Sequence, residues 1–390
     1  MFGVLKLGKL GASMKKAGLT PRTLFSAGEQ GAWYDPSDMS TLFQDSAGTV
    51  PVTAVEQPVG LILDKSRGLV LGPELVTNGN FSNGSTGWLL SSGVSIQNQQ
   101  AVFTNVTGSN NGLVAIGILS AQKRYQVTFT VVSISSGQVY VFFAGNSSPS
   151  VGAPGTYTFT LNAGSYTSNF GVVKPNSSPD VNCVIDNISV RELPGNHAFQ
   201  ATATSRPVLQ QDASGRHYLS FDGVDDFLQT SSINFNSTDK MTVFAGVRKL
   251  SDAAIGMVVE LSVASGLENL SAFNLTAPNT TGYGWRSVGT LFSDANSTGT
   301  PAPESAVLTG IGDIAADVSR LRRNGLIVAN SVSDQGTGNY GNYPLFIGRR
   351  GGTEYPFNGR IYSLIVRGAQ STEQQIASAE AWVNTKTGAY

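Results

Sequence analysis

The chain has 390 residues, 40% of them apolar, which is enough to core two domains. Its formal net charge of −1 gives no global electrostatic case for nucleic acid or an acidic polymer as partner. Charged residues make up only 13%, and Cys183 is the sole cysteine, so no disulfide framework can form within one chain.

Residues 1–22 carry Lys6, Lys9, Lys15, Lys16 and Arg22, with no acid before Glu29. Lys6 and Lys9 interrupt the apolar residues, so the continuous apolar core of a signal peptide is missing. No run approaches the ~20 apolar residues of a membrane span. The segment 1–26 reads as a disordered basic tail or as a docking segment that orders against a partner through Phe2, Leu5, Lys6, Lys9, Lys15 and Lys16. A weak membrane-surface helix is a third reading.

Residues 23–66 read as turns and irregular structure anchored by Trp33, Tyr34 and Phe43. From 72 to 193 the pattern changes. Tyr125, Val127, Phe129 and Val131 alternate with Gln126, Thr128 and Thr130, the period of a half-buried antiparallel strand. Tyr157, Phe159 and Leu161 repeat it, and residues 138–143 form a more continuous apolar strand. Cys183 lies in an apolar run and is expected to be a buried, inert thiol. Beyond 195, residues 241–247, 345–348 and 360–366 are strand candidates. Asn324-Gly325 marks a two-residue hairpin turn, because such a turn needs positive φ twice. Ser371 with Gln374 predicts a capping box opening a short helix, on which Ile376, Ala379, Trp382 and Val383 share a face. That face predicts packing of Trp382 against a sheet.

The run Leu219-Ser220-Phe221-Asp222-Gly223-Val224-Asp225-Asp226-Phe227 resembles the strand-turn-strand of laminin-G-like, concanavalin A-type jelly rolls. Met241–Val247, the Arg323-Asn324-Gly325 hairpin, Leu345–Gly348 and Phe357–Tyr362 continue the likeness in order, over roughly 196–385. The middle stretch resembles a family-4/9-type carbohydrate-binding module, from Glu74-Leu75-Val76-Thr77-Asn78-Gly79-Asn80-Phe81 and Gly87-Trp88 to the closing Val184–Arg191. Ala32-Trp33-Tyr34-Asp35-Pro36 and Gln57-Pro58-Val59-Gly60 resemble the segment that precedes the laminin-G-like motif in phage and prophage proteins. There it runs directly into a stretch like Gly195–Thr202.

The resemblance therefore implies an all-β chain of two jelly-roll β-sandwiches, one inserted into the other, with a short C-terminal helix. In that scheme 1–26 is the docking segment, 27–71 and 194–390 form the laminin-G-like domain, and 72–193 is the insert. Three beads on a string is the competing arrangement.

No catalytic constellation stands out. His197 and His217 cannot form a spaced zinc cluster, and no G-x-S-x-G elbow occurs. Gly336–Gly341 fits G-x-G-x-x-G literally but precedes a strand rather than opening a helix. Glycosidases of concanavalin A-like fold need paired carboxylates at i and i+2, and neither Glu260 nor Glu268 has such a partner. Asp222, Asp225 and Asp226 read as a structural turn, with calcium as the alternative; no other cofactor is expected. Sugar rings stack on aromatics while their hydroxyls need amide and carboxylate partners. Tyr283 and Trp285, read as lying in a Gly-rich loop, with Tyr140 and Tyr166, are the contact candidates.

The resemblance implies a non-enzymatic protein of the virion surface, of tail-fibre or head-fibre type, with lectin-like domains for host surface glycan. Other virion proteins would bind through the N-terminus, and a homo-oligomer such as a trimer is expected. A capsid or tail decoration protein and a polysaccharide-depolymerase spike are the other readings.

Overall fold

A computed structural model describes residues 20–263 and 271–390. Among these the regular structure is mostly antiparallel β-strand in packed sheets. Strand Gly31–Tyr34 pairs with Asn358–Arg367, placing Trp33 opposite Ile365. Leu42–Phe43 and Leu61–Ile62 join a sheet with Ala198–Phe199. The 23–66 stretch, expected to be irregular, therefore supplies three short strands whose partners lie up to some 330 residues away, beyond the reach of a local pattern.

The larger sandwich packs an eight-stranded sheet on a nine-stranded one. The first runs from Val208–Gln211 through Asn358–Arg367 and Lys240–Lys249 to Leu326–Ser331; the second runs from Leu42–Phe43 to Phe292–Asn296. Its core draws on residues 32–62 and 198–366. Two five-stranded sheets form the smaller sandwich, built from strands between Leu89 and Glu192 that pair only with one another. Here the alternation is direct. Tyr125, Val127, Phe129 and Val131 are buried on strand Arg124–Ser136, and outside them the Thr128–Thr158 and Thr130–Thr156 hydroxyl pairs close at 3.0 Å.

Chain segments at either end of the smaller sandwich lie side by side. The Gly72 amide donates to the Glu192 carbonyl at 2.8 Å, and the Leu75 amide to that of Val190 at 3.0 Å. Asn324 (φ 51°) and Gly325 (φ 81°) make the expected turn between Val318–Arg323 and Leu326–Ser331. Helix Glu373–Thr387 lays Ile376, Ala379 and Val383 on the outer face of the eight-stranded sheet, with the Trp382 ring edge-on to Trp33 at 5.4 Å. Its capping box is Thr372–Gln375, one residue later than expected. Residues 336–341 are a loop before strand Asn342–Tyr343, with no helix to cradle a phosphate. Cys183 is buried, and burial pushes its thiol up to about 12.

Candidate ligand-binding cleft

Three neighbouring strands of the nine-stranded sheet, Ala272–Asn279, Gly282–Val288 and Phe292–Asn296, have a strict division of faces. Phe273, Leu275, Tyr283, Trp285 and Ala295 turn into the core. Tyr283 and Trp285 are thus not loop residues: both are on a strand and have no exposed surface. Trp285 stacks on Phe273 at 5.4 Å and donates its indole N–H to the Ile311 carbonyl at 3.0 Å. Tyr283 donates to the Glu304 carboxylate at 3.1 Å, and burial together with that carboxylate drives its phenol far up. The physical reason is that apolar ring area gains most from burial and the sheet offered a core face two residues wide.

Alternate positions of the same strands make a polar cleft of about 270 Å³, lined by Asn274, Thr276, Asn279, Arg286, Asp294 and Asn296, with Arg350 and Tyr355 at one side. The register sets Thr276 and Asn296 opposite Gly284, and Asn274 and Asp294 opposite Arg286. Gly284 is the floor. A Cβ there would lie 2.5 Å from Thr276 Oγ1, 2.8 Å from Asn296 Oδ1 and 3.0 Å from Asn279 Nδ2, so three polar tips converge above a bare backbone. Arg286 forms a two-pronged pair with Asp294 at 2.6 and 2.8 Å. Arg350 donates to Glu260 at 3.1 Å and lays its guanidinium 4.8 Å from the Tyr355 ring centre. Burial raises the Glu260 carboxyl above the usual carboxylate range, against the opposing pull of Arg350. Each of these two cations thus has an acid beside it, while the wall keeps amides, a hydroxyl and guanidinium donors for a ligand that both gives and takes hydrogen bonds.

The other expected residues lie apart from this cleft. Tyr140 is half-buried in the smaller sandwich and donates its phenol to the Asn110 side chain. Tyr166, in the same sandwich, is 83% exposed. Asp222, Asp225 and Asp226 bring their carboxylate oxygens within 4.8 Å of one another. Asp222 accepts the amides of Val224 and Asp225 at 2.8 and 3.2 Å, Asp226 accepts that of Asp222 at 3.0 Å, and Asp225 accepts the Ser205 hydroxyl at 2.6 Å. Those bonds give the cluster a turn-holding role, and three carboxylates fall short of the ~6–8 oxygens calcium prefers. Phe2, Leu5, Lys6, Lys9, Lys15 and Lys16 lie outside the described residues.

Sequence reasoning singled out the segment 281–286 but chose its core face. Of that segment Arg286 and part of Trp285 line the cleft, and Gly284 lies beneath the tips of Thr276, Asn279 and Asn296. The usable signal was the alternation of Gly and polar residues across three successive strands.

No family model and no curated protein matches this sequence. Partial likenesses to solved structures exist. The carbohydrate-binding module (CBM40) of Ruminococcus gnavus IT-sialidase bound to α2,6-sialyllactose is 22% identical, covers 37% of this chain and 84% of that one, and has a TM-score of 0.30. The binding domain of botulinum neurotoxin DC in complex with SialylT is 10% identical, with coverages of 48% and 50% and a TM-score of 0.35. Leech intramolecular trans-sialidase with 2,7-anhydro-Neu5Ac is 18% identical, with coverages of 36% and 23% and a TM-score of 0.30. Superpositions this partial carry no function to the present chain.

Proposed function

We propose that this protein binds glycans without cleaving them, as a surface protein of a tailed-phage particle of tail-fibre or head-fibre type. The observation that carries the glycan reading is the cleft over Gly284, where three polar tips converge and two acid-paired arginines line one wall. Vicinal hydroxyls need donors and acceptors together, and the apolar face of a sugar ring needs a flat partner such as Tyr355. At about 270 Å³ the cleft falls just under the roughly 300–1,000 Å³ of drug-sized sites, a fit for one ring of a chain. The virion assignment is supported by the sequence resemblance of 31–66 and 195–227 alone. In it the N-terminal segment docks to other virion proteins, and a homo-oligomer strengthens weak sugar contacts by avidity.

Gly284→Ala is the direct test. The new methyl group would lie 2.5 Å from Thr276 Oγ1 and 2.8 Å from Asn296 Oδ1, so it displaces the converging tips, while the glycine's own backbone needs no change of conformation. Retention of host-surface glycans on a printed array is expected for the wild type, with binding weakened roughly tenfold or more in the variant. Asn274→Ala, which removes a half-buried lining amide without such a collision, should weaken it likewise with the thermal midpoint little moved. The wild type should block phage adsorption and release no reducing ends from the polysaccharide. An array with no retained glycan would leave the decoration role as the better account; released oligosaccharides would favour the spike.

A further inference from the structure

A second cleft runs between the two sandwiches. Its larger lobe encloses about 660 Å³, with Ser46, Phe199 and Ser231 contributed by the larger sandwich and Gln122, Asn146 and Asn162 by the smaller. Among the described residues no charged side chain lines this lobe. Gln122, exposed, and Asn162, half-buried, line both this lobe and the adjoining one, and their side-chain amides have no hydrogen-bond partner among the described residues.

An aromatic residue stands beside the lining, its Cβ against the lining Gly145. Tyr166 follows the lining residue Ser165 and is 83% exposed. Its root is fixed: its amide donates to the Ala144 carbonyl at 3.1 Å, and its Cβ sits where any side chain on Gly145 would collide at 2.8 Å. Gly145 has φ +106°, a conformation L side chains rarely adopt, so that position suits glycine twice over. The ring is therefore presented outward from a held backbone.

The two walls are locked together. Arg124, 3% exposed at the start of a strand in the smaller sandwich, donates to the Ser46 and Ala47 carbonyls of the larger at 3.0 and 3.3 Å, and to Thr160 of its own at 3.1 Å. Ser231 reaches across to the Gln122 carbonyl at 3.3 Å. A cleft held this way needs little ordering when a ligand arrives.

We propose that this inter-sandwich cleft is a second glycan site, one that takes a neutral oligosaccharide, with Tyr166 stacking on a ring at the rim and the Gln122 and Asn162 amides reading hydroxyls inside. The inference rests on the glycan-binding reading and adds the place and the ligand class. The adjoining lobe, which shares Gln122, Asn162 and Ser231, carries Arg67, Lys123, Arg124 and Glu192, but Lys123 is paired with Glu192 and both arginines are held on backbone carbonyls. The uncharged larger lobe supplies no counter-charge for an acidic sugar, whereas amides both donate and accept, as hydroxyls require. Its volume lies within the roughly 300–1,000 Å³ of sites that enclose several linked groups. Neither sandwich alone can form it.

The full chain is screened on a printed array of neutral and acidic bacterial-surface glycans, and the tightest neutral binder is then titrated by calorimetry. Gly284→Ala should keep one class of neutral-glycan binding, and adding Tyr166→Ala or Asn162→Ala should weaken that class by roughly tenfold or more. Tyr166 is exposed, so its variant keeps the wild-type thermal midpoint. Loss of all binding in a Gly284→Ala protein that still unfolds cooperatively, or in Asn274→Ala, overturns the cleft proposal and leaves glycan binding standing. Residual binding indifferent to Tyr166→Ala and Asn162→Ala does the same. An array without any retained glycan overturns both.

Discussion

His197 is held in one protonation state by what surrounds it. Its Nδ1 accepts the Asp64 amide at 2.9 Å, so that nitrogen carries no proton, and its Nε2–H faces the Leu193 carbonyl at 3.1 Å. Burial, helped by the charge of Arg124, pushes the imidazole down to about 3 from its usual 6.5. The fold thus refuses a proton that the unfolded chain takes up below 6.5. The stability this contributes is fully present above 6.5 and is lost as pH falls toward 3, at up to about 1.4 kcal/mol per pH unit. Asp226 acts in the opposite direction. Burial and the neighbouring Asp222 push its carboxyl up to about 6, so folding takes up a proton there and stability rises as pH falls from about 6 through the usual 3.8. Asp226 itself is buried, but Asp222 is exposed and Asp225 half-buried, so solvent screening of their charges tempers that second effect. The wild-type stability curve should accordingly be shallow between pH 6 and 4. His197→Asn keeps an acceptor for the Asp64 amide and removes the basic ring. Its urea midpoint should fall less than the wild type's between pH 6.5 and 4.5, and parallel curves for the two proteins would show that His197 titrates normally.

Among the elements, the C-terminal helix shows how an acidic residue on an otherwise apolar face is used. Glu380 is 3% exposed and accepts Arg322 Nε at 2.7 Å, Arg322 Nη2 at 3.2 Å and the Thr309 hydroxyl at 2.8 Å. Its removal leaves the nearly buried Arg322 guanidinium with only the exposed Glu373 carboxylate at 3.8 Å and the Gly325 carbonyl at 2.8 Å. Glu380→Ala should cost about 3–5 kcal/mol in chemical denaturation, with Glu380→Gln intermediate; a loss under about 1 kcal/mol would mean the pair is solvated. The helix itself was readable from spacing, since Ile376, Ala379 and Val383 recur on one face. Glu380 was not, because its partners lie 58 and 71 residues away. The cap slipped by one for a similar reason. Ser371…Gln374 and Thr372…Gln375 have the same spacing, and Ser371 is drawn into the structure by its amide bond to Thr242 and by accepting Arg367. Strand Gly282–Val288 repeats the lesson: alternation says which residues share a face, while only the assembled sheet says which face is inside.

At the scale of the whole chain, the arrangement supports the proposal that 72–193 is a domain inserted into a larger one formed by 27–71 and 194–390. The strands of each sandwich pair only within it, and the chain crosses between them where Gly72 and Glu192 are hydrogen-bonded neighbours. What joins the two is a small apolar cluster and a polar set. In the cluster Leu193 packs with Leu61, Leu63, Phe43 and Phe199, and it stays with the larger sandwich when 73–192 is removed. The polar set is Arg124 on the Ser46 and Ala47 carbonyls, and Ser231 on the Gln122 carbonyl, with Ala47 packed against the lesser core. Polar contacts of this kind set orientation and cost little hydrophobic stability when exposed to water. The larger sandwich with 73–192 replaced by a short Gly-Ser turn, and the isolated 72–193 segment, should therefore each unfold in a single cooperative calorimetric transition. Because Gly72 and Glu192 are already in contact, such a turn closes the gap without strain. The Asp64 network supplies the rest of the argument. Asp64 accepts the amides of Trp33, Ser66 and Asn196 at 2.8, 2.8 and 2.7 Å, tying together the two halves of the larger sandwich on the same side of the insertion point. If excision instead unfolds the remainder, the smaller sandwich completes the larger one's fold, and the inserted-domain reading fails.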